Sequence, residues 1–305
     1  MGKGVSITKQ QHESPTIPAT MLVLVLLPLL LLPMAAVFIF AFRGGPHGFV
    51  SALMTPDAQF ALRFSLVMAF ATAGLNAILG TFAAYVLSKY EFTGKRHLNI
   101  VVNLPVAIPT VVVGTSLLLL WGPIGLLGRL LEPLGLQPMF TPVGVLMAHL
   151  FVTFPYMLGA VKPLLDELET TYEEAAYTIG ASRWQTFWHV ILPGLRGGLF
   201  SGTLLTFAHS LGEFGATVMV SGNLRLRTQT APLYIFAQFE AGNIASANAV
   251  AAVLAVLSFA IFFVLLRRNP RRSIPREGVE TCRERAGGLG ETDRVQLCTG
   301  PRYVI

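Results

Sequence analysis

Five long stretches without Asp, Glu, Lys or Arg, and a sixth interrupted only by Glu213, dominate this sequence of 305 residues. Each of them can supply the roughly 20 apolar residues that a membrane-spanning helix needs. The apolar residues run continuously and do not alternate with polar ones, so spanning β-strands are not expected. The pattern predicts an all-α polytopic membrane protein with six transmembrane helices, near residues 20–42, 64–88, 99–121, 142–161, 197–219 and 244–266.

The distribution of basic residues predicts the orientation of these spans. If the N-terminus is cytoplasmic, 17 of the 22 Lys and Arg residues lie on the inner side and five lie outside. Short loops rich in Lys and Arg stay in the cytoplasm, so both termini are expected there. The net charge of +6 is then a consequence of topology, and no nucleic-acid partner is expected.

The chain divides into three parts. A cytoplasmic N-terminus covers residues 1–19, a membrane domain covers 20–266, and a cytoplasmic tail covers 267–305. The first span has no convincing small-residue cleavage site, so we expect it to remain uncleaved. The tail is rich in Arg and Gly and poor in apolar residues, which predicts disorder. Both cysteines, Cys282 and Cys298, lie there, on the reducing side, so no structural disulfide is expected.

A polar insert separates predicted spans four and five. It covers residues 171–193 and contains the sequence EEAAYTIGASRWQTFWHVILP. Thr171 and Glu174 have the spacing of a capping box, which predicts that a helix begins there. Gly180 suits the left-handed position that ends a helix. The insert therefore begins as a short helix that stops at a sharp bend.

A second short helix follows the bend. Ser182 and Gln185 offer another capping box, and Pro193 is expected to end the helix because proline disrupts a helix interior. Large apolar residues recur along it at helical spacing: Trp184, Phe187, Trp188 and Ile191. The insert could be an interfacial linker whose aromatic rings lie among lipid headgroups. Alternatively, the small Ala175 and Ala176 leave one face flat enough for another protein to approach.

The same stretch resembles the EAA loop of ABC importer permeases. Glu174-Ala175-Ala176, Gly180 and Leu192-Pro193 match the pattern of that loop, and Val190 stands where Ile is usual. In that family the loop is a coupling helix that binds a separate ATP-hydrolysing subunit. The resemblance implies that the residues that dock the ATPase are Glu173, Glu174, Ala175, Ala176, Gly180, Val190, Leu192 and Pro193.

The resemblance extends over roughly residues 55–266. The segments around the insert and SLGEFGATVMVSGN are similar to permeases of sulfate/thiosulfate and molybdate importers, and the chain length favours the T-type sulfate permease. This implies the type I importer fold and a permease that moves a tetrahedral oxyanion into the cytoplasm across the inner membrane. A molybdate or tungstate permease is the alternative, because TQTAPLYIF is similar to molybdate permeases.

ATP binding is not expected in this chain. The phosphate-binding pattern G-x-x-x-x-G-K-[ST] is absent from the sequence, so ATP and Mg²⁺ are expected in a partner ATPase. The resemblance implies two copies of that ATPase, a second permease subunit that is a sister chain or an identical copy, and an extracytoplasmic anion-binding protein. Membrane lipid surrounds the assembly, and no cofactor or metal is expected in this chain.

The third predicted span contains two prolines, Pro105 and Pro109. Backbone groups freed by proline are tolerated in a membrane only beside protein or a watery cavity. We therefore expect a broken helix that lines the translocation path. Its polar wall groups would be Asn103, Thr110 and Thr115. The alternative is a kinked helix that serves only packing.

Glu213 is a carboxylate within the fifth predicted span, flanked by Gly212 and Gly215. A free carboxylate would repel an anion, so a structural or gate role is expected. Glu213 would pair with Arg225 or Arg227, or accept a hydrogen bond from the backbone.

His149 and His209 lie in predicted spans four and five. They are interpreted as hydrogen-bonded packing residues. The alternative, a proton relay in a secondary transporter, would belong to a different functional class. An enzyme is not expected, because the chain lacks G-x-S-x-G and H-E-x-x-H motifs.

Overall fold

The computed structural model describes residues 16–168 and 170–268, and every regular element in these ranges is a helix. The predicted tail lies outside the described residues, except for its first two positions. The helices are α1 (Thr16–Ala41), α2 (Gly45–Leu53), α3 (Pro56–Lys89), α4 (Lys95–Ala107), α5 (Thr110–Trp121), α6 (Leu126–Leu131), α7 (Pro142–Glu167), α8 (Thr170–Thr178), α9 (Arg183–Thr186), α10 (Leu192–Gly194), α11 (Arg196–Leu211), α12 (Gly215–Ser221), α13 (Ala231–Glu240) and α14 (Ile244–Arg268).

The predicted all-α polytopic membrane protein is confirmed, since five helical segments in the described ranges are long and apolar enough to cross a membrane. A sixth is counted if Arg183–Gly194 and Arg196–Leu211 form one span bent by 67°. The first, fourth and sixth spans begin close to their predicted positions, whereas the second, third and fifth differ. Helix α3 begins at Pro56 and not near residue 64, because Thr55 caps it and accepts a hydrogen bond from the Ala58 amide at 3.4 Å.

The prediction of a continuous fifth span over residues 197–219 is wrong. Helix α11 ends at Leu211 and α12 begins at Gly215. The carboxylate of Glu213 accepts a hydrogen bond from the Ala216 amide at 2.9 Å. This bond satisfies a free donor at the start of α12, and therefore stabilises a new helix start inside an apolar stretch.

Helices α3 and α7 form the centre of the bundle, and α11 packs against both. A methyl group on Gly80 of α3 would lie 2.7 Å from Met157 of α7, so the two helices approach closely. A fully apolar cluster closes the end of the bundle next to the polar insert. Its buried members are Ala84, Leu87, Met157, Leu158, Val161, Leu165, Ile191 and Leu195.

Two short helices lie in the connections between the spans. Helix α6 and the following 3-10 turn Glu132–Leu134 lie between α5 and α7. Helix α13 has no counterpart among the predicted elements. It is tied to α3, because the Ala231 amide donates a buried hydrogen bond to the Ser65 hydroxyl at 2.7 Å.

Candidate functional site

Residues 171–193 form the helix, bend and helix that the sequence predicts, and we call this segment the coupling loop. Gly180 has a φ of +86°, and two hydrogen bonds close the end of α8. The Gly180 amide donates to the Tyr177 carbonyl at 3.0 Å, and the Ala181 amide donates to the Ala176 carbonyl at 3.0 Å. This is a Schellman motif. The predicted helix stop at Gly180 is therefore confirmed.

The capping box at the start of α9 is also confirmed. The Ser182 amide donates to the Gln185 side-chain oxygen at 2.8 Å, and the Gln185 amide donates to the Ser182 hydroxyl at 3.3 Å. The first predicted capping box stays a prediction, because the side chain of Thr171 lies outside the described residues. Helix α8 itself begins at Thr170.

The second half of the coupling loop is less regular than predicted. A π-helical turn covers Phe187–Ile191 and leads into α10. Pro193 does not end the helical segment, which continues to Gly194 before the 67° bend into α11. The wider π-helical turn lies just before Pro193, and in it the Leu192 amide donates to the Phe187 carbonyl.

One side of the coupling loop faces the bundle. Ile191 is 1% exposed and joins the apolar cluster that closes this end of the molecule. Thr186 is buried too, and Ala176 is only 8% exposed. The flat face expected from Ala175 and Ala176 is therefore narrower than predicted, because only Ala175 is exposed.

The other side of the coupling loop presents large apolar side chains to the exterior. Ile179 is 86% exposed and Trp184 is 69% exposed. Trp184 lies against Trp188, with 5.5 Å between their ring centroids. The exposed set is Tyr172, Tyr177, Ile179, Trp184 and Trp188. We call it the loop surface. A group of exposed apolar residues of this kind marks contact with a protein or a membrane.

The coupling-loop residues taken from the resemblance occupy different positions relative to the loop surface. Glu174, Ala175 and Gly180 are exposed, whereas Val190, Leu192 and Pro193 are half-buried. Glu173 points back to its own chain and forms an ion pair with Lys89 of α3 at 2.5 Å. The two neighbouring carboxylates therefore differ, since only Glu174 faces outward.

The third predicted span is broken, as expected, and its role in lining a translocation path stays a prediction. Helix α4 ends at Ala107 and α5 begins at Thr110, with Pro109 at the junction. Pro105 is buried. The amide of Asn103 donates to the Asn99 carbonyl at 2.7 Å, and the hydroxyl of Thr115 donates to the Val111 carbonyl at 2.9 Å. Both polar groups already have a partner in their own helix.

The breaks in the third and fifth spans pack against each other. A methyl group on Gly215 would lie 2.1 Å from the Thr110 hydroxyl, and one on Gly114 would lie 2.6 Å from the Ala216 carbonyl oxygen. Helices α5 and α12 therefore touch backbone to backbone near their first turns. Gly212 is different. A methyl group on Gly212 would lie 3.9 Å from its nearest neighbour, the Ala208 carbonyl oxygen, which is an ordinary contact distance.

Glu213 is 5% exposed and bonded to the backbone amide of Ala216. Of the alternatives left open by the sequence, the backbone hydrogen bond is the one found. Arg225 pairs instead with Asp57, in the first turn of α3.

A buried polar network connects four helices, and the sequence reasoning missed most of it. The Ser210 hydroxyl lies 2.7 Å from Nδ1 of His149, and Nε2 of the same ring lies 2.9 Å from the Thr217 hydroxyl. Asn76 donates to the Thr153 hydroxyl at 2.7 Å, and that hydroxyl donates to the His149 carbonyl at 2.7 Å. A membrane span with Asn or His at its centre is the signal that could have indicated such a network.

The two histidines have separate partners. Both ring nitrogens of His149 bond to uncharged hydroxyls, and His209 lies 3.2 Å from the Tyr156 hydroxyl. This arrangement is the one expected of packing residues.

Two touching breaks in the spans and a capped helical hairpin that displays apolar side chains are the distinguishing features of this membrane protein. The family model described as "Binding-protein-dependent transport system inner membrane component" matches residues 76–274, and the chain belongs to this family. The predicted permease class is therefore confirmed.

Curated relatives carry related names. The chain is 40% identical over 225 residues to "Probable sulfate transport system permease protein cysT" of Chlorella vulgaris, covering 74% of this chain and 84% of the relative. It is 40% identical over 233 residues to "Sulfate transport system permease protein CysW" of a Synechocystis strain, covering 76% and 84%. It spans 63% of "Sulfate permease 2, chloroplastic" of Chlamydomonas reinhardtii, at 38% identity.

A solved structure has the same fold. A bacterial ABC transporter involved in the import of the acidic polysaccharide alginate matches with a TM-score of 0.66 and 17% sequence identity. The match covers 85% of this chain and 94% of the other. This confirms the predicted fold of an ABC importer permease.

Proposed function

We propose that this chain is the permease subunit of an ATP-driven importer of sulfate or thiosulfate. The coupling loop carries the proposal, because it is rigidly capped and exposes large apolar side chains. The T-type and W-type relatives, both named as sulfate permeases, are 40% identical to this chain. Their similarity supports a sulfate-like substrate.

The proposed assembly contains further subunits. Two copies of a separate ATPase bind ATP and Mg²⁺, and one of them binds the loop surface and Glu174. A second permease subunit completes the pore, and an extracytoplasmic protein delivers the anion. The alginate transporter of similar fold was crystallised with a periplasmic protein that binds an alginate pentasaccharide. Both termini of the present chain lie in the cytoplasm and its helices span the inner membrane.

The proposed mechanism is alternating access. Closure of the ATPase moves the coupling loop, and the spans tilt between inward-open and outward-open arrangements. The anion passes the broken third span beside Asn103, Pro105, Pro109, Thr110 and Thr115. No Lys or Arg lies within the predicted spans 99–121 and 197–219. Hydroxyls and amides therefore let the ion pass without holding it, and the delivering protein provides selectivity.

Uptake of labelled sulfate by proteoliposomes that contain the complete transporter tests this function. Glu174→Ala and Gly180→Val are expected to abolish ATP-dependent uptake, while ATP hydrolysis persists. Glu132→Ala and Gly197→Ala are the matched controls. Glu132 is exposed and distant in sequence from the coupling loop, and a methyl group on Gly197 would meet no atom within 4 Å. Coupled uptake that is unchanged in both coupling-loop variants would contradict the proposal.

Competition identifies the substrate in the same experiment. Unlabelled thiosulfate should compete with sulfate, whereas stronger competition by molybdate or tungstate would favour the alternative substrate class. Uptake that continues without the ATPase, and collapses with the proton gradient, would favour a secondary transporter.

A further inference from the structure

Helix α3 is longer than a membrane-spanning helix needs to be. Its 34 residues correspond to about 51 Å at 1.5 Å per residue. The hydrocarbon core of a bilayer is about 30 Å thick. Both ends of α3 therefore extend past the core, where they can contact loops on opposite sides of the membrane.

The end of α3 at Lys89 is joined to the coupling loop by three kinds of contact. Lys89 forms the 2.5 Å ion pair with Glu173, and the side chains are only 15% and 14% exposed. Tyr85 meets Phe187 edge to face, with 5.6 Å between ring centroids. Leu87 belongs to the same buried apolar cluster as Ile191. Charges that are shielded from solvent are screened weakly by salt, so the attraction between Lys89 and Glu173 persists at physiological ionic strength.

The other end of α3 is joined to the loop between α12 and α13. Asp57 accepts a hydrogen bond from Arg225, and this bond raises the pKa of the guanidinium. Further along α3, Ser65 accepts the hydrogen bond from the Ala231 amide. The loop has a defined conformation, because Gly222, Asn223 and Leu226 all have positive φ angles. One helix thus bonds to loops at both ends of the bundle.

We propose that Lys89 is a positioning residue for coupling: its ion pair with Glu173 passes movement of the coupling loop to α3, and α3 passes it to the loop at residues 222–230. The inference rests on the proposed function. Glu174 contacts the ATPase, whereas Glu173 contacts the permease's own helix. Glu174 and Glu173 therefore connect the ATPase to the membrane domain through one short helix, α8.

Another ion pair in the chain provides a matched control. Lys95 pairs with Glu91 at 2.6 Å, close in sequence to Lys89. Glu91 is 88% exposed, and the pair lies at positions i and i+4 around the start of α4. Exposed pairs of this kind contribute little. Removing the Lys95 charge alters the local charge as much as removing that of Lys89, without touching the coupling loop.

The experiment compares Lys89→Met, Glu173→Gln, the charge swap Lys89→Glu with Glu173→Lys, and Lys95→Met, each in the complete transporter in proteoliposomes. The readouts are sulfate taken up per ATP hydrolysed and the amount of ATPase subunit that copurifies. Each single variant at the pair is expected to lower the uptake ratio about tenfold, which is typical of a coupling free energy between sites. ATPase copurification should stay at the wild-type amount. The swap should restore most of the ratio, and Lys95→Met should not change it.

Three results would overturn the inference: an unchanged ratio in both single variants, a charge swap no better than the worse single variant, or loss of the ATPase from Lys89→Met. If neither single variant accumulates in the membrane, the swap decides alone, because only an ion pair predicts that reversed charges restore transport.

Failure of the inference is distinguishable from failure of the proposed function. A wild-type transporter that takes up no sulfate with ATP contradicts the proposed function. Normal wild-type uptake with an unaltered ratio in Lys89→Met contradicts only the inference.

Discussion

The coupling loop and the paired breaks of the third and fifth spans are stabilised in opposite ways. In the coupling loop, residues within five positions of one another form the bonds that fix its bend, as Gly180 and Ser182 show. At the breaks, Gly114 and Gly215 are held by residues about 100 positions away, in close contact across two helices. The exposed bend of the loop is fixed by local bonds, whereas the breaks also depend on close packing between distant parts of the chain.

This difference fits two different tasks. The coupling loop, as the proposed binding site of the ATPase, must keep its conformation on its exposed side, and local helix caps provide that. A junction between moving spans needs close backbone contact that can shift as a unit. We therefore expect substitutions at the breaks to destabilise the whole bundle, and substitutions in the loop to loosen only the loop.

The largest effect is expected at the contact between α5 and α12. In Gly114→Ala the new methyl group would lie within 3.0 Å of three backbone atoms of Ala216, so the helices must separate. Overpacking of this kind costs about 3 kcal/mol. The thermal unfolding midpoint in detergent, followed by tryptophan fluorescence, should fall. Gly74→Ala is the control, because its methyl group meets no atom within 4 Å. Equal midpoints in the two variants would contradict close packing at the break.

The next effect concerns the hydrogen bond that starts α12. Glu213→Leu leaves the buried Ala216 amide without an acceptor, at a cost of about 2 kcal/mol. Glu213→Gln keeps an oxygen in the same place and should lose less. The same thermal measurement compares the two variants. If Gln is as damaging as Leu, the negative charge of Glu213 matters and the hydrogen bond does not explain its presence.

A smaller and local effect is expected at Gly180. A side chain at φ of +86° is strained by about 1.5 kcal/mol. Gly180→Ala should increase hydrogen exchange within residues 171–193 and leave the spans unaffected. In the control, Gly197→Ala, the residue is helical and meets no neighbour. Faster exchange throughout the bundle would show that the loop is not an independent unit.

The smallest effect is expected at the capping box. Ser182→Ala removes the acceptor for the Gln185 amide and costs about 1 kcal/mol. Hydrogen exchange of the first amides of α9 should accelerate about fivefold, because a loss of about 1 kcal/mol increases the population of the open state by about that factor. Ser201→Ala should change little, since the Ser201 hydroxyl bonds to carbonyls of its own helix, those of Gly197 at 2.7 Å and Gly198 at 3.3 Å. An identical exchange rate in Ser182→Ala would show that the box does not hold the bend.

The same contrast explains what the sequence could predict. The stop at Gly180 and the box at Ser182 were predictable because their partners lie within a few residues. The break at Glu213 is not predicted although its bond is also local, because a long apolar stretch with a single carboxylate is typical of one continuous helix. The ion pair of Lys89 with Glu173 joins residues 84 positions apart, and no local pattern indicates it.

The buried network around His149 belongs with these missed features. Its bonds connect residues 61 to 77 positions apart, so they depend on how the helices pack. Sequence reasoning could place His149 in a span and favour a packing role. It could not name Ser210, Thr217 and Asn76 as members of one network.

The surface of α1 has a consequence for how the chain is made. From Leu24 to Leu32 its large apolar side chains are all at least 42% exposed, and its window from Leu24 to Ala41 has a mean hydropathy of 2.7. Such a helix can enter the bilayer by itself, before any later helix has left the ribosome. The short α4 and α12 cannot do so, because they need neighbours already in place. We therefore expect α1 to insert as an independent anchor, whereas the interrupted spans depend on contacts with the rest of the bundle.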